Sequence, residues 1–213
     1  MKINDEYLKE QLKHVYWING GCCAGKTTMT MKFVEELGFQ TLGDNVLKYR
    51  PFTSPVEYPA LQFPHSGLDW DKWFNKPNDE HVQWLFQLVE EMMDFFIIDL
   101  LKMPDDKPII IDLGIMPEHI LPFIPKERMI CLYTSDAEIE KLYFFREDHK
   151  MILDVINLTS NPAAAIKNGN KNMVRFSHDV RNACVQTGIR TIERTSGLSV
   201  EEQFRLVREH FRL

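Results

Sequence analysis

Trp17-Ile18-Asn19-Gly20-Gly21-Cys22-Cys23-Ala24-Gly25-Lys26-Thr27-Thr28 is the stretch that decides how the rest of the chain is read. It fits the pattern G-x-x-x-x-G-K-[ST], with Gly20, Gly25, Lys26 and Thr27 in the four fixed positions. Each fixed residue has a physical task on a polyphosphate. The glycines permit dihedrals and close approaches that a Cβ forbids. The loop amides from Gly20 through Gly21, Cys22, Cys23, Ala24 and Gly25, with the helix start at Lys26, Thr27 and Thr28, point at phosphate oxygens. Lys26 brings a mobile positive charge to the β- and γ-phosphates, and the Thr27 hydroxyl is a ligand for Mg²⁺. At ordinary residue frequencies a chain of this length carries the pattern by chance in roughly one case in a hundred.

The flanking residues supply the context the motif needs. Val15-Tyr16-Trp17-Ile18 reads as a short buried strand. After the loop, Met29, Phe33 and Leu37 recur at helical spacing, and Gly38 closes that helix. Further strands are expected at Phe39–Leu42, Pro108–Asp112, Arg128–Tyr133 and Ile189–Ile192. Between them lie a lead-in helix opened by Asn4 or Asp5, a long helix from about Asp79 to Met103, and starts at Ser135 or Asp136, Asn161-Pro162 and Ser199. This alternation, read with the loop, predicts an α/β chain, a three-layer α/β/α P-loop NTPase fold with a parallel five-stranded sheet. The whole of 1–213 reads as one domain. A Pro- and aromatic-rich insertion occupies about 50–78, and the lid region about 146–175.

Composition narrows the class of partner. A net charge of −6 gives no electrostatic case for nucleic acid. The N-terminal residues lack an apolar signal core, and the most apolar stretch, Val82 to Leu101, carries Glu90, Glu91, Asp94 and Asp99, so no membrane span is expected. Cys22, Cys23, Cys131 and Cys184 show no metal-ligand spacing and read as reduced thiols of a cytoplasmic protein. The long helix is apolar on most of its circumference, which leaves room for a homodimer.

In a parallel sheet, ligands sit at the carboxyl ends of the strands. That rule gathers the loop, Asp44, Asp112 and the segment after Tyr133 on one rim. Asp112, after three isoleucines, stands where an acid holds Mg²⁺ or its water; the alternative is a strand-ending turn cap. Asp44 is the candidate for contacting an acceptor hydroxyl as general base or orienter, with a turn residue as the alternative, and Arg50 follows it closely enough to grip the acceptor. Arg146 and Arg175 flank the stretch from Asp148 to Asn170, expected to be flexible, and are the expected charge clamps.

Taken in order, these parts resemble the adenylate-kinase-like family of P-loop nucleoside, nucleotide and small-molecule kinases. The resemblance rests on Gly20–Thr28, the Asp44…Arg50 pair, Ile109–Gly114, the Arg-bearing segment from Arg146 to Arg181, and Ile192–Gly197 before a final helix. It implies ATP and Mg²⁺ as cofactors and transfer of the γ-phosphoryl group to a small molecule under a helical lid. Lys26 and Thr27 would serve phosphate and metal, Asp44 and Arg50 the acceptor, and Arg146 and Arg175 the lid. Asp112-Leu113-Gly114 departs from the Asp-Gly…Pro-Arg pattern of adenylate kinases proper, and the 52–74 aromatic segment is foreign to nucleoside-monophosphate kinases. Both departures favour another small-molecule acceptor. Two alternatives share the loop: a regulatory ATPase or GTPase acting through a protein partner, and a toxin-type kinase of an activated sugar.

Overall fold

Val15, Trp17 and Ile18 have no exposed surface, the state of a central strand covered on both faces. The computed structural model describes residues 4–43, 46–63 and 69–213 and places Val15, Trp17 and Ile18 in β1 (Val15–Gly20) of a parallel sheet. The order is β2-β1-β3-β4, where β2 is Ile109–Asp112, β3 is Met129–Thr134 and β4 is Arg190–Arg194. Register pairs Ile18 with Asp112, Gly20 with Leu132 and Thr134 with Arg194, so the carboxyl ends of the strands share one rim.

Eight α-helices are described: α1 (Asp5–Gln11), α2 (Lys26–Leu37), α3 (Trp70–Phe74), α4 (Asn78–Lys102), α5 (Asp136–Leu142), α6 (Lys150–Ile156), α7 (Pro162–Gln186) and α8 (Val200–Phe211). The strands' period of two divides their side chains between two cores. Ile18, Ile110, Ile130 and Leu132 meet Met29 and Phe33 of α2 and Phe204 and Val207 of α8. On the opposite face Trp17, Ile109, Ile111 and Cys131 meet Met92, Phe96 and Leu100 of α4 and Val180 and Cys184 of α7. Each fully buried side chain of this size contributes roughly 1.5–3 kcal/mol of transfer free energy. Caps fix the helix starts: Asn161 Oδ1 accepts from the Ala164 amide, and Ser199 with Glu202 closes a reciprocal capping box.

The expected strand at 39–42 does not form. Gln40 makes one isolated parallel bridge to Ile109, its amide donating to Pro108 O while its carbonyl accepts from the Ile110 amide. The next rung would need Ile110 O as an acceptor for a backbone amide. The Thr41 hydroxyl donates to that oxygen instead, at 2.7 Å. A side chain therefore replaces the ladder after one bridge, and the sheet has four strands rather than five.

A third core lies apart from the sheet. Trp73 and Phe74 of α3 pack with Phe144, Ile156 of α6 and Ala165 of α7, with Phe63, Trp70 and Trp84 around them. Tyr58 and Leu61 of the insertion pack with the sheet-side core, while its Phe63, Trp70, Trp73 and Phe74 share one aromatic lobe with Ile156 and Ala165 of the 146–175 region. Polar bonds sew it together: Asp71 accepts from the Ser160 amide and hydroxyl, and Asn168 donates to Phe74 O. Gly169 is required here, since a Cβ would stand 2.4 Å from the Phe144 ring. Among the described residues no helix is long and apolar enough to cross a membrane.

Candidate phosphate-binding site

The loop between β1 and α2 owes its shape to residues that avoid or tolerate unusual backbone angles. Gly20 has φ +124°, and a Cβ there would lie 1.8 Å from Leu132 O. Gly25 has φ +84° and ends the loop as the N-cap of α2 without a side-chain cap bond. Cys23 takes φ +58°, the left-handed region that a non-glycine residue enters only under local constraint.

That constraint is a set of polar pins. The Gly21 amide donates to Leu132 O at 3.2 Å, and the Cys22 amide to Ser177 Oγ of α7 at 3.0 Å. Lys26 Nζ arches back to Gly21 O at 2.6 Å, which centres its charge over the loop. Arg194 Nη1 donates to Cys23 O at 2.6 Å, and Gln203 Nε2 to Ala24 O at 3.2 Å. Beneath the loop, Asn19 is fully buried; it accepts from the Gly20 and Ile115 amides and donates to Ile115 O. This ties the end of β1 to the segment after β2.

An open cavity of about 250 Å³ sits above the loop. Its floor is Cys23 through Thr28, and Leu142, Arg146 and Arg194 form the walls. Three cationic side chains, Lys26, Arg146 and Arg194, thus face one space beside the start of α2. The first amides of a helix have no intrahelical partner and carry the positive end of its dipole. The thiols of Cys22 and Cys23 add no negative charge, because burial pushes both up, against the opposing pull of Lys26 and of Arg146 beside Cys23.

Of the residues expected from sequence, Gly20, Gly21 and Cys22 build the loop, while Cys23, Ala24, Gly25, Lys26, Thr27, Thr28 and Arg146 line the cavity. Asp112 ends β2 half-buried, beside Ile18 on the adjacent strand. Asp44 lies outside the described residues. Arg50 is engaged elsewhere: its Nε and Nη2 donate to Leu61 O and Phe63 O, clamping the insertion. Arg175 is not part of the cavity either. It lies two residues from Ser177 on α7, about 200° around a helix of 3.6 residues per turn, and bonds Asp179 and Asp79. Arg194, at the carboxyl end of the last parallel strand, lines the cavity instead. Ser177 and Gln203 carried no readable signal, because each acts through helix phase.

Oxygen donors suited to a hard cation are present. Thr27 opens onto the cavity, and Asp112 stands on the same rim. Among the described residues no group of three or more His, Cys, Asp or Glu could hold a metal alone. Mg²⁺ on a polyphosphate takes most of its ligands from phosphate and water, so this donor set fits it.

Comparison of the chain with protein-family models gives no match, and a search of curated proteins gives none either.

Proposed function

We propose that the chain is an ATP-dependent phosphotransferase of the adenylate-kinase-like P-loop group, moving the γ-phosphoryl group to a hydroxyl or phosphate of a small molecule. The observation that carries this reading is the convergence of Lys26, Arg146, Arg194 and an uncapped helix start on one cavity, above a loop that fits the phosphate pattern at all fixed positions. Amides and helix dipole bind the non-reacting phosphates, and Lys26 reaches over the loop to the terminal ones. Arg146 and Arg194 approach from the walls, where charge develops on the transferring group, and stabilise it without reorganising. Thr27 would hold Mg²⁺ directly and Asp112 through its water; the ion, when bound, neutralises charge between the phosphate oxygens. Asp44 keeps its sequence-based assignment to the acceptor.

Thermal unfolding with and without Mg·ATP tests the reading. At a hundred times Kd the nucleotide adds about 2.7 kcal/mol to stability, a clear rise in Tm. A panel of acceptors added with Mg·ATP then identifies the substrate class by a further rise. A Tm unmoved by Mg·ATP and Mg·GTP would refute nucleotide binding.

A further inference from the structure

Resting on the nucleotide reading, we propose that Gln203 of α8, with Arg194, is a positioning residue that aims the loop's amides at the phosphates. In a trans peptide the C=O of one residue and the N–H of the next point in opposite directions. Holding a carbonyl therefore sets the following amide. Arg194 holds Cys23 O, which turns the Ala24 N–H the other way. Gln203 holds Ala24 O, which does the same for the Gly25 N–H. The Gly21–Cys22 peptide, two before that of Cys23 and Ala24, obeys the same logic: the carbonyl of Gly21 goes to Lys26, and the Cys22 amide goes opposite, to Ser177.

Gln203 is suited to the task because it is buried, at 3% exposure, and its carboxamide lies against the loop. A Cβ on Gly25 would meet its Oε1 at 3.1 Å and Arg194 Cδ at 3.6 Å. The second glycine of the motif therefore has a further reason to lack a side chain: it admits the group that holds the preceding carbonyl. The C-terminal helix is in this way part of the phosphate site without lining it.

The test is Mg·ATP binding by calorimetry in wild type, Gln203→Met, Gln203→Glu, Val207→Ala and Lys26→Ala. Gln203→Met keeps side-chain volume but removes the donor, and its Kd should rise about tenfold, the equivalent of one good hydrogen bond. Val207→Ala empties buried volume one turn further along the same helix and leaves the side-chain bonds to Cys23 O and Ala24 O in place. It should lower Tm at least as much as Gln203→Met yet leave Kd within about twofold, if the effect on binding is positional. Gln203→Glu adds a readout that a packing role would not move. At pH 8 its carboxylate cannot donate to Ala24 O, so binding is as weak as in Gln203→Met. Burial raises the carboxyl's titration range against the opposing pull of Arg194; as pH is lowered it takes up a proton, donates, and restores affinity, whereas Gln203→Met does not recover. Amide exchange of Ala24 and Gly25 in the unliganded Gln203→Glu protein should follow the same pH course. Wild-type affinity in both Gln203 variants, with binding still lost in Lys26→Ala, would overturn the positioning role and leave the nucleotide reading intact. Failure of wild type itself to bind Mg·ATP would overturn both.

Discussion

The phosphate loop and the aromatic lobe sit on the same chain but are built on opposite principles. The loop is a contiguous dozen residues held by backbone angles and single polar pins, and it presents amides and cations to open space. The lobe is assembled from residues far apart in sequence, Phe63 to Trp84 and Tyr143 to Ile166, and holds by ring packing. Phe63 and Trp73 centroids are 4.3 Å apart, Trp73 and Trp84 meet edge to face at 4.8 Å, and Lys76 Nζ lies 4.6 Å from the Trp73 ring centre. The loop gives up apolar burial to expose polar groups; the lobe does the reverse. Substitutions should therefore separate binding from stability between the two.

Trp73→Ala should give the largest effect on the stability side. Removing a buried aromatic anchor costs about 3–5 kcal/mol, read as a lower midpoint in denaturant titration. Mg·ATP affinity measured well below the new Tm should stay near wild type, and a parallel loss would couple the two regions. Lys26→Ala is the mirror case. It should reduce phosphoryl transfer about 10²- to 10³-fold or more while Tm moves little, since Lys26 is half-buried and its bond to Gly21 O contributes only about 1 kcal/mol.

His81 gives the lobe a pH signature. It packs against Trp73 and Trp84, and burial lowers its pKa to about 4 from the ordinary 6.5. The unfolded chain thus binds a proton before the folded one does, so stability is full above pH 6.5 and is lost as pH falls towards 4. The total loss from this group is roughly 3 kcal/mol. Burial also lowers His14 and His210, so the contribution of His81 is the difference between wild type and His81→Phe, whose slope should be shallower. Equal slopes would remove His81 from the account.

The smallest effect is expected at Arg175. Its pairs with Asp79 and Asp179 are half-exposed, and such pairs contribute about 0–1 kcal/mol. Arg175→Ala should leave Mg·ATP binding unchanged, whereas Arg146→Ala should weaken it about tenfold or more by removing a cation from the cavity wall. The reverse ranking would return Arg175 to the site.

The same contrast explains what could be read from the letters. The loop, its strand and its helix were legible because each depends on neighbours within a few residues, as did the Asn161 and Ser199 caps. The sheet's edge was not, because Phe39–Leu42 has strand composition and the Thr41 hydroxyl decides the outcome across the ladder. The partners of Arg50 and Arg175 were not legible, because charge along a sequence does not reveal which carbonyl or carboxylate a guanidinium will face. Arg194 and Gln203 went unassigned for the complementary reason: their partners lie some 170 to 180 residues earlier.

The most direct test of the central claim is an NMR titration with Mg·ATP that follows the amides of Cys23 to Thr28 alongside the indole signals of Trp73 and Trp84. The account predicts that the loop amides shift on nucleotide addition and that Lys26→Ala weakens or abolishes the response. Loop amides that stay fixed at saturating Mg·ATP, or that shift equally in Lys26→Ala, would contradict it.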